Sequence, residues 1–400
     1  MPALIDAVET EFTTDFKIVL AAQERVVPAL EAEFAESGPG FLMLTAGSKQ
    51  SRIRLRAERW DDRPPSTDDW EEMDDLPFET VPTAGRLIVQ GFDPSGVGLD
   101  LGDLGRGRAR VLARGRHRYY YGANLDPFAM PPEEWLLQLY PADGPVDPMS
   151  GGPRRLVIAG DPSRTARSPW HAAVRGFKTS GWADALGSSH GYSLAETALA
   201  AAKASVTRLE LASSMVRYMA PWETGGPEAE SAPVPPHPRI RDEGDALARI
   251  SGRAEIATIG DVIDALVSIG LLIGEVRDGR QLLIPNPAPQ PVWERWGVVG
   301  EQLDSARVRA LTYEHRGIAN SIESAVRWCG QEGLNTTPRA MAIRWCTTIE
   351  DVTGGLRLLR GSGRVASNRD LGFDSELGAD ESLTLWRGSA PDTRFPRHLP

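Results

Sequence analysis

The densest positive charge in the chain lies between Arg106 and Arg118, and a run of three tyrosines, Tyr119–Tyr121, follows it. Side chains alternate between the two faces of a β-strand, so this spacing puts the arginines on one face. A basic face next to aromatic rings can bind single-stranded nucleic acid, because bases stack on the rings while arginines neutralise phosphate. The residues of this candidate binding face are Arg106, Arg108, Arg110, Arg114, Arg116 and Arg118.

An acidic segment earlier in the same part of the chain offers these arginines another role. Residues 58–75 are rich in aspartate and glutamate. Stripes of opposite charge within one domain favour internal pairing, which contributes about 0–1 kcal/mol for each exposed pair. We favour internal pairing over an external ligand. If the arginines are free instead, they would bind nucleic acid or an acidic protein.

Other residue patterns that could perform catalysis have little support. Residues 187–191 match the G-x-S-x-G motif, but that motif needs a buried strand before it, and residues 181–186 are not strand-like. Ser189 and His190 are therefore expected in a loop. The six histidines lack metal-ligand spacing, and no phosphate-binding loop occurs. We expect a protein that is not an enzyme and has no catalytic residue, no cofactor and no metal.

A second set of arginines lies near the C-terminus, in a region where two helices are predicted. Thr337 followed by Pro338 predicts a helix start, and Ala340, Ala342 and Ile343 are predicted to face inward. A further helix is predicted from a Thr-x-x-Asp capping box, an apolar stripe and a terminating glycine. Its residues are Thr348, Asp351, Val352, Leu356, Leu359 and Gly363. This pattern resembles the winged helix-turn-helix family, which implies a winged-helix unit over residues 301–387.

A similar pattern occurs earlier in the chain. Thr258 caps a predicted helix whose apolar residues have the same offsets, and Asp278-Gly279 predicts a two-residue hairpin turn in the wing that follows. The resemblance therefore implies a first winged-helix unit over residues 240–297, and the two units form a tandem.

Whether the tandem reads DNA depends on the outward side chains of the last helix of each unit, which would enter the major groove. In the first unit these include Asp261 and Asp264 and no basic residue, which repels phosphate. The second unit begins its helix with Glu350-Asp351 but carries arginines further on. The candidate nucleic-acid contacts are Arg357, Arg360, Arg364 and Arg369. We expect DNA binding, if any, through the second unit, whereas the acidic faces favour a protein partner.

Residues 1–141 have the short apolar runs and turn residues that predict an antiparallel β-sandwich. Three stretches, Trp70–Glu72, Gly107–Arg116 and Trp135–Pro141, resemble an uncharacterised domain family common in actinobacterial proteins. More distantly, the layout is similar to competence protein J, a small nuclease inhibitor. The resemblance brings no catalytic residues, and its motifs look like strands of a scaffold. The similarity to competence protein J implies that an exposed acidic loop could mimic nucleic acid towards a nuclease.

Two proline-rich stretches, residues 141–155 and 225–238, are predicted to be linkers, with a helical connector over residues 155–222 between them. No apolar run reaches the roughly 18–20 residues that span a bilayer, and the acidic N-terminus does not have the pattern of a signal peptide. Cys329 and Cys346 form no CxxC pair and are expected to be reduced thiols in the cytoplasm.

Together these features predict an α+β multidomain protein with an N-terminal sandwich, a helical middle and two C-terminal winged-helix units. Its net charge is −11, and residues 1–100, with 9 basic and 20 acidic groups, account for that value. The expected function is a regulatory or adaptor role with a protein partner, without a membrane, and with a homodimer left open. Two alternatives remain, a transcription regulator that reads DNA through the second unit and an inhibitor-like or immunity-like binder that acts through the sandwich.

Overall fold

The computed structural model describes most of the chain, and it forms two compact units. The first contains Met1–Asp161 and His315–Pro400, and the second contains Pro162–Glu314. Among the described residues, no helix is long and apolar enough to span a membrane. The described residues are 2–21, 34–38, 40–67, 69–80, 85–90, 97–116, 131–142, 146–156, 169–188, 193–202, 206–219, 226–296 and 301–389.

The first unit contains an eight-stranded sheet whose order is β4-β7-β8-β3-β1-β5-β6, with β2 also paired to β3. The strands are β1 (Leu4–Ala21), β2 (Ala35–Gly38), β3 (Phe41–Trp60), β4 (Glu72–Glu79), β5 (Arg86–Gln90), β6 (Gly98–Asp100), β7 (Arg106–Arg114) and β8 (Glu133–Pro141).

Alternation along β3 sets the orientation of the sheet. Ile53, Leu55 and Ala57 are buried in the core, whereas Arg54 and Arg56 on the opposite face are exposed. The same apolar cluster includes Leu87 of β5, Leu99 of β6 and Val111 of β7, which come from opposite ends of the strand order. Strands from both ends of the order therefore contribute to one apolar core.

The predicted antiparallel pairing is wrong at one place, because β3 and β8 run parallel, with Leu55 beside Trp135. β3 is 20 residues long, and while one of its edges pairs with β1, the other pairs with both β2 and β8. The rest of the sheet is antiparallel. Parallel pairing requires a long connection, which the chain between β3 and β8 supplies.

The first unit also contains the C-terminal helices and a small three-stranded sheet of order β11-β13-β12. Its elements are the part of α8 (Glu301–Cys329) from residue 315 onward, β11 (Leu334–Thr336), α9 (Pro338–Trp345), α10 (Ile349–Gly361), β12 (Val365–Ser367) and β13 (Leu383–Arg387). The predicted capping box of Thr348 and Asp351 is present at the start of α10.

The buried face of α9 differs from the prediction. Ile343 is 59% exposed and Ala340 is also exposed, whereas Met341, Arg344 and Trp345 are buried together with Ala342. The inward face was predicted from hydrophobicity alone, which could not anticipate that an arginine finds carboxylate and carbonyl partners in the interior.

The second unit is mainly helical and includes one hairpin. Its helices are α1 (Pro169–Thr179), α2 (Trp182–Ala185), α3 (Leu194–Ala201), α4 (Arg208–Met219), α5 (Pro238–Ser251), α6 (Ile259–Ser268) and α7 (Val292–Arg295), with the start of α8. The hairpin of β9 (Leu272–Arg277) and β10 (Arg280–Pro285) turns at Asp278-Gly279 as predicted, and both residues have positive φ.

Part of the predicted linker over residues 225–238 is ordered. A short 3₁₀ helix spans Ala229–Ser231, and Pro233 forms a bridge to Thr258 next to the start of α6. Proline content predicted a linker unlikely to fold, but backbone groups of this segment bond to Ala257 and Ile259 at the start of α6.

Candidate functional site

The predicted basic face is largely neutralised by carboxylates of the same unit. Arg108 Nε donates to Asp75 Oδ1 at 2.7 Å, and Arg116 Nη1 lies 2.8 Å from both carboxylate oxygens of Glu72. Both carboxylates belong to the acidic segment 58–75, so the internal pairing that the sequence favoured is present. The other described pairs are Arg106 with Glu79 at 3.0 Å and Arg114 with Glu134 at 2.7 Å, and Arg118 lies outside the described residues.

Arg116 is inaccessible to an external ligand. Its side chain is 2% exposed, and its guanidinium lies 5.0 Å from the Phe34 ring centroid and 5.6 Å from that of Trp135. Its Nε donates to the Thr45 carbonyl at 2.9 Å. A buried arginine with a carboxylate and two aromatic rings is part of the core rather than of a binding surface.

Arg344 of α9 joins the C-terminal helices to the sheet, a role for which the sequence interpretation did not consider it. Its Nη1 lies 2.8 Å from Asp74 Oδ1, and its Nη2 donates to the Asp75 carbonyl at 2.8 Å. Its Nε donates to the Pro148 carbonyl at 3.1 Å. Only the spatial position of α9 against β4 brings these groups together.

Residues 146–152 cover the two guanidiniums of Arg108 and Arg344, so this part of the predicted linker over residues 141–155 is a structural element. Arg108 Nη1 donates to the Asp147 carbonyl at 3.2 Å and to Ser150 Oγ at 3.0 Å. A Cβ added to Gly151 would lie only 2.5 Å from the Asp75 carbonyl oxygen, so glycine is required. Guanidinium groups carry five donors, and backbone carbonyls of a close-packed segment satisfy them.

The carboxylate of Asp75 has a partner on each oxygen, because Tyr140 Oη donates to its Oδ2 at 2.8 Å. Burial, then the negative charge of Asp75, raises the pKa of Tyr140 to about 12. The phenol therefore remains protonated and acts as a hydrogen-bond donor. Asp75, Arg108 and Tyr140 therefore form a network of paired charges and hydrogen bonds, and none of the three is an activated nucleophile.

In the first predicted winged-helix unit, the N-terminal end of α6 is covered by the chain itself. Ile259 N donates to the Ala232 carbonyl at 3.0 Å, and Val234 N donates to the Ala257 carbonyl at 3.0 Å. A Cβ on Gly260 would lie 3.0 Å from the Glu230 carbonyl oxygen. The end of the helix that would enter a DNA groove is therefore occupied.

The acidic side chains of α6 are also engaged. Asp264 pairs with Arg208 of α4 and lies 3.0 Å from Arg253 Nη2. Burial alone would raise the pKa of Asp264, but the hydrogen bonds and charges of Arg208 and Arg253 lower it below its usual value. The carboxylate that the sequence placed on an outward face serves to hold α6 against α4.

In the second predicted unit, most of the candidate nucleic-acid contacts already have partners. Arg364 Nη2 lies 2.5 Å from Glu323 Oε2 of α8, and Arg369 Nε lies 3.2 Å from Glu381 Oε1. Arg357 Nη2 donates to the Ser375 carbonyl at 3.0 Å. Arg360 is exposed and makes no ion pair with any described residue.

The compact unit of Pro162–Glu314 buries a carboxylate that sequence reasoning missed. Glu243 of α5 is 1% exposed and accepts hydrogen bonds from Leu194 N at 2.7 Å and Ala195 N at 3.1 Å, at the start of α3. The hydroxyls of Ser188 and Ser193 also donate to it. It serves as a helix cap from another helix, and no local sequence signal indicates it. Ser189 and His190 of the G-x-S-x-G motif lie outside the described residues.

No family model and no curated protein matches the chain. Two solved structures are distantly similar. One is ComJ, inhibitor of the DNA degrading activity of NucA, from Bacillus subtilis, with 9% identity, a TM-score of 0.27, and coverage of 36% of this chain and 99% of that chain. The other is described as crocagin biosynthetic gene J, with 12% identity, a TM-score of 0.23, and coverage of 34% and 98%. Similarity at this level carries no functional inference.

Proposed function

We propose that the protein is a non-enzymatic regulator or adaptor whose two helix-turn-helix units act as protein-interaction surfaces. The observation that carries this proposal is the covered N-terminal end of α6, where Ala232 and Glu230 occupy the position a DNA groove would take. A helix whose reading end is closed by its own chain cannot reach base edges.

The order of elements supports assignment of both units to the winged-helix class. In each, two helices are followed by a pair of antiparallel strands, β9–β10 in the first and β12–β13 in the second. Side-chain caps begin α6, α9 and α10. The single apolar core to which strands from both ends of the N-terminal sheet contribute supports a sandwich-like arrangement for residues 1–141.

The ion pairs of the second winged-helix unit, residues 301–387, also support a protein partner. Three of its four candidate arginines are held by Glu323, Glu381 or the Ser375 carbonyl, so each would have to leave its present partner before meeting phosphate. The exposed Glu350 at the start of α10 adds repulsion.

Exposed apolar side chains identify where a partner would bind the first winged-helix unit, residues 240–297. On β9, Val276 is 75% exposed and Ile273, on the opposite face of the strand, is 40% exposed, while Val267 of α6 is 38% exposed. Glu275 and Arg277 flank Val276. Apolar groups bordered by charge are the usual composition of a protein-binding surface.

DNA binding is tested by titrating the full chain with random duplex DNA across a salt series. We expect no steeply salt-dependent binding. If binding is steep and the double variant R357A/R360A flattens the slope by about two units, near 0.9 for each phosphate that is no longer neutralised, the regulator alternative is correct. The full chain is required because residues 239–400 alone would lack the partners of Arg344.

The protein-interaction surface is tested by affinity capture from a cell extract with the wild type, V276D and the control Y218S. Tyr218 is 70% exposed in the same unit but lies on α4, so its replacement tests general surface hydrophobicity. We expect a partner that V276D loses and Y218S retains. A partner that both variants retain, and that a charge reversal such as R54E in β3 loses, would support binding through the N-terminal sheet instead.

A further inference from the structure

We propose that a pocket on the N-terminal sheet binds a small oxyanion of the carboxylate or phosphate class. The pocket has a volume of about 340 Å³ and lies beside β4 and β7 within the first unit. Small-ligand sites usually have volumes of about 300–1,000 Å³, so this one accommodates a compact ligand. The residues that carry the inference are Arg63, Thr67, Met73, Asp75, Arg110 and Leu112.

Arg110 provides the main observation. It is 6% exposed, yet no described carboxylate lies within ion-pair distance of its guanidinium. Its Nη1 donates to the carbonyls of Pro64 and Pro65, both at 3.1 Å, and to Gln138 Oε1 at 3.4 Å. Within the described residues these are the hydrogen bonds of its guanidinium, which also lies 5.8 Å from the Tyr140 ring centroid. A buried charge normally has a counter-charge, because desolvating it alone is costly.

The carboxylate that lines the pocket does not serve as that counter-charge. Asp75 Oδ1 accepts from Arg108 and Asp75 Oδ2 accepts from Tyr140. The described lining therefore carries two guanidiniums, those of Arg63 and Arg110, against one carboxylate that is already paired. The remaining positive charge attracts an anion and disfavours a metal cation.

Hydroxyl groups complete a donor set for oxygen ligands. Thr67 Oγ1 is buried and makes no hydrogen bond in the part of the chain that the structure describes. A guanidinium and a hydroxyl together form short, charge-assisted hydrogen bonds to carboxylate or phosphate oxygens. Met73 and Leu112 supply an apolar wall, which suits a ligand with a short hydrocarbon part next to its anionic group.

The test is isothermal titration calorimetry of the full chain with inorganic phosphate and with butyrate, each against chloride at equal ionic strength. Phosphate strengthens folding of many proteins without binding a site, so heat of binding is measured rather than thermal stability. We expect saturable binding of one ion per chain for at least one probe. Butyrate alone indicates a carboxylate ligand, and phosphate alone indicates a phosphate ligand.

R110Q should weaken binding by about tenfold or more, because a hydrogen bond to a charged group is removed. R106Q is the matched control, since Arg106 is exposed on the same strand and lies outside the pocket. R63Q alters an exposed guanidinium, and T67V removes a hydroxyl that has no hydrogen-bond partner among the described residues. Each variant should weaken binding several-fold while its circular dichroism spectrum stays unchanged. These two variants decide the question if R110Q does not fold.

The proposal is overturned if neither anion binds the wild type saturably, or if R110Q, R63Q and T67V all bind as R106Q does. Asp68, next to Thr67 in sequence, lies outside the described residues, so D68N is titrated as well. If D68N binds an anion that the wild type does not, an internal carboxylate takes the place of the proposed ligand, and the proposal is also wrong.

Discussion

Arg344 Nη1 lies 2.8 Å from Asp74 Oδ1, although the two residues are 270 positions apart, and their side chains are 3% and 2% exposed. Burying an ion pair is favourable only when other hydrogen bonds satisfy the remaining donors. The carbonyls of Asp75, Pro148 and Gly152 do so for this guanidinium. A buried and fully hydrogen-bonded ion pair therefore joins the C-terminal helices to the N-terminal sheet.

Removal of the arginine should destabilise the first unit strongly. R344A leaves Asp74 buried without its counter-charge, and we expect a decrease of about 3–5 kcal/mol in the free energy of unfolding. Chemical denaturation of the full chain measures this decrease. R339A is the control, because Arg339 pairs with Asp380 on the surface and its replacement should leave the denaturation midpoint unchanged. Equal midpoints for R344A and R339A would show that the buried pair is dispensable.

Two adjacent glycines provide a matched test of the segment over residues 146–152. In G151A the added Cβ would lie 2.5 Å from the Asp75 carbonyl and 2.9 Å from Arg344 Nη2, whereas a Cβ at Gly152 meets no atom within 4 Å. We expect G151A to cost about 1–3 kcal/mol and G152A to be nearly neutral. Urea denaturation of the two variants decides this, and similar midpoints would mean that the segment is not packed as described.

The buried carboxyl of Glu243 should make stability depend on pH in an unusual direction. Burial raises its pKa above the ordinary 4.5, despite opposing hydrogen bonds from Ala195 N and Leu194 N. The unfolded chain therefore releases this proton first, and the contribution to stability falls as pH rises from about 4.5 through the higher folded value.

The slope is checked by measuring the free energy of unfolding against pH for the wild type, E243Q and the control E255Q, which alters an exposed glutamate of the same unit. We expect E243Q to lose this component of the slope and E255Q to keep it. Parallel curves for all three proteins would contradict a raised folded pKa.

The two cysteines should differ in reactivity. Burial, with the charges of Asp147 and Glu332, raises the pKa of Cys329 to about 11, so at about pH 8 only about one thousandth of it is thiolate. Cys346 is exposed at the end of α9. We expect iodoacetamide to label Cys346 rapidly and Cys329 slowly, as followed by peptide mass spectrometry. Equal rates would place Cys329 at an accessible position, and labelling in urea provides the unfolded reference.

Features set by neighbouring residues could be predicted well. The predicted Thr348–Asp351 capping box, the predicted Thr258 cap of α6 and the hairpin turn at Asp278-Gly279 are present. Each depends on hydrogen bonds or dihedral angles within about four residues, which the order of residue types specifies.

Prediction failed where partners are distant. Hydrophobicity placed Ile343 inside, but it is exposed, and the neighbouring Arg344 is buried with the carboxylate of Asp74 and the carbonyl of Pro148 as partners. The parallel pairing of β3 with β8 was likewise invisible, because a strand alternates in the same way whether its neighbour is parallel or antiparallel.

By itself, the sequence determined where α6, α9 and α10 begin, which positions of β3 and α10 face a core, and that the charges of residues 58–75 and 106–116 complement each other. Only the tertiary structure decided which carboxylate each arginine meets, since this depends on which strands and helices become neighbours. In the folded chain, Arg108 contacts the carboxylate of Asp75 and Arg344 contacts its backbone carbonyl, whereas Arg110 is buried without a described counter-charge. Local hydrogen bonds follow from adjacent residues, whereas the partner of a buried charge depends on packing between segments far apart in the chain.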